Sequence, residues 1–218
     1  MNFFSFSDSG WSRVEDTEKH FSQIKQIDES LSLGEHVSLF ERALPVYDNV
    51  RLLCLTSDEW DAGLRVCYLS DQDNLLRLTG ISPPIHEMNA KAPINITGEN
   101  VLYYLSFFCF FVRGEEGAFY VVYDLEDELL PEGFSDARSK EKPAPLTPKQ
   151  LFRRPSLHGQ DADGKWRASA LINYSNAVFL ADFLIHPTGM IDMVEDEPLL
   201  ADLPCRVNAP LMPNARLT

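Results

Sequence analysis

Asp182 is the sole carboxylate in the run Ala177-Val178-Phe179-Leu180-Ala181-Asp182-Phe183-Leu184-Ile185-His186. In an extended chain side chains alternate between faces, so Val178, Leu180, Asp182, Leu184 and His186 share one face. Phe179, Ala181, Phe183 and Ile185 share the other, the expected core face. A two-residue turn at Ser175-Asn176 then sets Ser169 opposite Asp182 and brings Arg167 and Asn173 to the same mixed face. A carboxylate among apolar neighbours loses hydration, which favours its neutral form and suits it to exchange a proton. Asp182 and His186 are therefore the candidate catalytic residues, and that role requires both to border one concave pocket. On a flat, wetted face Asp182 would simply pair with Arg167.

A second candidate is basic. Arg138, Lys140, Lys142, Lys149, Arg153 and Arg154 follow one another with Pro143, Pro145, Pro148 and Pro155 interleaved. Within an acidic chain such a block is suited to dock an acidic protein partner or to close over a sheet as a lid. The plain alternative is a surface loop that neutralises the chain's own acids at 126–132 or 192–197.

Other patterns fail on inspection. His86-Glu87-Met88-Asn89-Ala90 begins like a zinc-binding helix but has Ala90 where the second imidazole is needed. Asp161-Ala162-Asp163-Gly164 resembles part of a calcium loop, yet Gly159 and Ala170 occupy the first and last ligand positions of that register. Ser22-Gln23-Ile24-Lys25 matches a serine–lysine spacing without its companion motifs. Glycine-rich phosphate cradles and nucleophile elbows are missing from the sequence. No metal and no cofactor are expected, and nothing in the sequence decides whether the chain is an enzyme.

The 218 residues carry 33 Asp and Glu against 19 Lys and Arg, a formal charge of −14. An acidic surface repels phosphate backbones and anionic membranes, so neither nucleic acid nor membrane is an expected partner. Of the four cysteines, Cys54, Cys67 and Cys109 lie in apolar runs and Cys205 near the end, with no C-x-x-C pair. Buried free thiols fit that pattern. With no secretory leader legible at the start, a reducing, cytoplasmic location is expected. The longest apolar run, 101–112, is about 12 residues, short of the roughly 20 a membrane helix needs.

The elements that must position these residues are partly legible. Phe21, Ile24 and Ile27 lie at helical spacing over 16–29. Strands are predicted at 50–56, 64–70 and 75–79, and Gly80-Ile81-Ser82-Pro83-Pro84 predicts an extended path. Thr97 caps and Gly114 stops a predicted helix over 101–112, which is apolar almost all round and so must be buried on most sides; a buried strand is the competing reading. A strand follows at 118–124, then a long connection over 125–165 with one helical turn near 148–152. Strands at 166–174, 177–186 and 190–195 form a closing meander, with a helix capped by Asn176 the alternative for the middle one.

The fold expected is α+β: an antiparallel sheet, the late three-strand meander, packed on a buried central helix, with a long charged, proline-rich connection. One domain is expected over 16–204, with an N-terminal arm at 1–15 and an irregular tail at 205–218. The function expected is that of a non-enzymatic interaction or accessory protein using 138–155. The alternative is a small-molecule-binding protein or enzyme with a pocket between sheet and helix.

Overall fold

The computed structural model describes all residues except 7–9, 62, 72, 139–145, 204–208 and 212–218. Antiparallel sheets and a few helices make up an α+β chain. Contacts divide it into two compact units. One unit holds Phe4–Pro93 with Pro210 and Leu211; the other holds Met1–Phe3 and Ile94–Ala209. Both are discontinuous in sequence, so no linker composition marks the division.

The first unit is a five-stranded up-and-down sheet. Its elements are β1 (Trp11–Arg13), α1 (Glu18–Ile27), β2 (Val37–Ala43), β3 (Arg51–Ser57), β4 (Val66–Ser70), β5 (Leu75–Leu78) and α2 (Pro83–Lys91), with strand order β1-β2-β3-β4-β5. Ile24 of α1 joins Leu31, Leu39, Leu53, Leu55, Val66 and Tyr68 in one buried cluster. Ile27 does not share that burial and stays half exposed. Leu39, Leu55 and Val66 are directly opposed in register, as are Leu53 and Tyr68, so this cluster is one face of the sheet. A buried pair fastens the end of α1: Asp28 accepts from Arg77 and, at 3.2 Å, from the Tyr68 hydroxyl.

Three features of this unit bear on the expectations. The N-terminal arm contains a strand, since Trp11–Arg13 pairs with β2. The 83–91 stretch is helical rather than extended, because Pro83 and Pro84 occupy the first turn, where a missing N–H costs nothing. In the tail, Arg65 N–H donates to Pro210 O at 3.2 Å and Leu211 forms an isolated bridge with Arg65.

In the second unit α3 (Val101–Phe111) has eight of its eleven residues buried. Its N-cap is Asn100, not Thr97, although Val101 N–H still reaches Thr97 O at 2.9 Å. Phe3, fully buried, sets its ring against Tyr103, Phe107, Phe110 and Phe111. A tight hairpin of β6 (Arg113–Gly114) and β7 (Gly117–Ala118) precedes β8 (Tyr120–Val121). Gly114 is required there: a Cβ would collide with the phenol of Tyr174, whose hydroxyl accepts from Glu116 N–H at 3.0 Å.

The 125–165 connection is shorter than expected. It holds a 3-10 turn at Phe134–Asp136, the short α4 (Pro148–Leu151) closed by a capping box between Thr147 and Gln150, and a strand, β9 (Ser156–Gln160). β10 (Trp166–Tyr174), β11 (Ala177–Ile185) and β12 (Ile191–Leu200) follow, in the order β12-β11-β10-β8, with β9 also on β10. The 177–185 run is thus extended. β12 continues through Pro198, which an edge strand tolerates because the lost N–H need not face a neighbour.

Candidate functional site

The β10–β11 register is the one the turn dictates: Ser169 faces Asp182 and Arg167 faces Leu184. On β9 the period-two pattern of Ser156-Leu157-His158 places Ser156 opposite Ser169. On β12 Glu195 stands opposite Asp182. One polar row therefore crosses four strands: Ser156, Ser169, Asp182, Glu195.

His158 joins that row. Its Nε2 lies 2.6 Å from Ser169 Oγ, and Ser169 Oγ donates to Asp182 Oδ1. A hydroxyl owns one proton, so with that proton on the carboxylate Ser169 accepts from His158 Nε2–H. The order matters chemically. In an acyl-transfer triad the imidazole stands between hydroxyl and carboxylate and removes the hydroxyl's proton. Here the hydroxyl stands in the middle with its proton on Asp182, so His158 is not set between hydroxyl and carboxylate as a triad base is.

These residues border an open depression of about 490 Å³, lined by His158, Arg167, Ser169, Asp182 and Glu195 together with Leu184 and Val194. Asp182 borders this depression. His186 does not line it: it follows the end of β11, and its Nε2 pairs with Asp192 at 2.7 Å. The two candidate catalytic residues are therefore not brought together, and His158 takes the place beside Asp182. His158 escapes sequence reading because β9 is short and follows Pro155; the signal was the alternation at 156–160 just ahead of the Asp161–Gly164 turn.

That turn also accounts for the calcium-like pattern. Asp161 accepts from the N–H groups of Lys165 and Asp163, each at 2.9 Å. The Lys165 bond first, and the Asp163 bond after it, hold the Asp161 carboxyl below the usual carboxylate range. Among the described residues no group of three or more His, Cys, Asp or Glu is placed to hold a metal ion.

The basic segment is a separate surface. Arg138 follows the 3-10 turn, Lys149 lies in α4, and Arg153 and Arg154 sit in the extended link to β9; all four are exposed. None has a carboxylate within ion-pair distance among the described residues, so the acids at 126–132 and 192–197 do not neutralise them by contact. Lys140 and Lys142 lie outside the described residues. No helix among the described residues is long and apolar enough to cross a membrane. No family model matches the chain, and no curated protein and no solved structure matches it either.

Proposed function

We propose that this chain is a non-enzymatic interaction protein that docks an acidic segment of a protein partner on Arg138, Lys149, Arg153 and Arg154. One observation carries the reading: four exposed cations without a carboxylate partner among the described residues, in a chain of net charge −14. Self-neutralisation is the ordinary fate of such a block, and its lack leaves the charges available to another surface. In this reading α3 is the buried support of the β10–β12 meander, for which the 2.7 Å bond from Tyr104 hydroxyl to Gly189 O speaks. A reducing, cytoplasmic setting agrees with Cys54 and Cys67, opposed across β3–β4 as free thiols.

The test is a quadruple charge reversal, R138E/K149E/R153E/R154E, titrated against a labelled Glu- and Asp-rich peptide beside the parent protein. Binding that falls by at least about tenfold, or roughly 1.4 kcal/mol, supports the proposal. Equal binding by the two proteins rejects it.

A second reading rests on its own observation, the His158–Ser169–Asp182 chain in the sheet depression. A small polar ligand would exchange its hydrogen bonds with that chain, and Leu184 and Val194 would cover its apolar side. This pocket lies on the mixed face of the sheet; the sequence placed one between the sheet and α3.

A further inference from the structure

Among the described residues, no strand lies beside the outer edge of β12. β12 ends the sheet order, and no backbone hydrogen bond among the described residues reaches that edge. Such an edge presents a row of unpaired N–H and C=O groups to any extended chain. β12 is also long for an edge, at ten residues, and 192–198 are exposed without interruption. Both faces of that stretch are open.

Its side chains select what fits there. The strand carries Asp192, Glu195, Asp196 and Glu197 and no cation. Simple alternation would put Val194 beside Asp192 on the Asp182 face. The irregularity between Asp182 and Phe183 inserts one residue instead, so Glu195 faces Asp182 and Glu197 faces Leu180. Asp192, Glu195 and Glu197 thereby share one face. Asp192 already meets His186, whereas Glu195 and Glu197 meet no cation among the described residues. Met193 and Val194 remain 43% and 50% exposed.

A second copy is a poor occupant. Antiparallel pairing of two such edges would set carboxylate against carboxylate between chains of charge −14 each. We infer that the β12 edge docks an extended, basic segment of a protein partner, one with Lys or Arg at alternate positions. The segment adds to the sheet through main-chain hydrogen bonds and lays its cations along Glu195 and Glu197. This inference goes beyond the surface proposed above. It uses another element and the opposite charge, so either can fail while the other stands.

The test uses the full chain and a capped peptide alternating arginine and valine. A control peptide of the same sequence is N-methylated at alternate residues, which keeps the charges and removes ladder donors. Affinity is measured by calorimetry at low salt, and hydrogen exchange maps the protected amides. The unmodified peptide is expected to bind and to slow exchange within 192–198. The N-methylated peptide and the E195Q/E197Q protein are each expected to bind on the order of tenfold more weakly. Both substitutions are at exposed positions, and an unchanged melting temperature verifies that the fold is intact. The R138E/K149E/R153E/R154E protein is expected to bind the basic peptide no more weakly than the parent does. No measurable binding of the unmodified peptide overturns the inference. So does equal binding in either control, or protection that falls outside 192–198.

Discussion

Ser169 and Asp182 face each other directly across β10 and β11, and the Ser169 hydroxyl donates to the Asp182 carboxylate. That bond binds the two central strands at the middle of the polar row and sets the direction of the neighbouring His158 bond. It also distinguishes a built site from a merely wet face, where the carboxylate would turn to solvent.

Ser169→Ala is expected to destabilise the protein by about 1 kcal/mol, the usual net value of one such bond. Asp182→Asn removes the charge but keeps an acceptor and should cost less. In a double-mutant cycle of Ser169→Ala with Asp182→Ala, read by urea denaturation, the coupling is expected to lie between roughly 0.5 and 1.5 kcal/mol. Strict additivity would mean that the hydroxyl and carboxylate do not interact.

Asp28 in the other unit should be the most sensitive charged position. It is buried, accepts from Arg77 and Tyr68, and holds Ser30 at 3.2 Å. Asp28→Ala removes the buried carboxylate that accepts from Arg77 and Tyr68, for an expected loss of about 3–5 kcal/mol. Burial, with the Asp28 charge next, pushes the Tyr68 hydroxyl well above its ordinary range, so this network stays protonated at the phenol through neutral and mildly alkaline pH. A loss below about 1 kcal/mol in chemical denaturation would show that the pair adds little.

The cysteines give a chemical readout of the same cores. Burial pushes the Cys109 thiol up to about 12, and burial followed by the Cys67 hydrogen bond raises that of Cys54. Thiolate is the reactive form, so both should resist disulfide-exchange reagents at pH 8 in the folded protein. Cys67, equally buried, should be shielded with them. Mass mapping is expected to find all three modified only after denaturant is added. Rapid labelling of Cys54 or Cys109 under native conditions would contradict the packing.

What the sequence made legible was local. A two-residue turn between alternating runs sets the Ser169–Asp182 register unaided, and a largely apolar run marks α3, although the helix ends at Phe111 and Gly114 lies in the following hairpin instead of capping it. What escaped depends on distant partners or on misread punctuation. β2 mixes Glu41 and Arg42 into its period, and β1 is three residues long and exists through its pairing with β2. The double proline of α2 reads as a break, although the first helical turn accommodates it. Within the site, the alternation at 156–160 marks β9, but the place of His158 depends on pairing across a register shift between Arg167 and Ala168 that no local pattern encodes. His186 dropped out because β11 ends one residue earlier and the chain turns, leaving its ring to Asp192.

The docking claim is tested most directly by observing the backbone and guanidinium resonances of the parent protein while an acidic peptide is titrated in. Saturable shifts are expected at Arg138, Lys149, Arg153 and Arg154, fading as salt rises. Shifts confined to the β10–β12 face, or none at all at those four residues at saturating peptide, would contradict it.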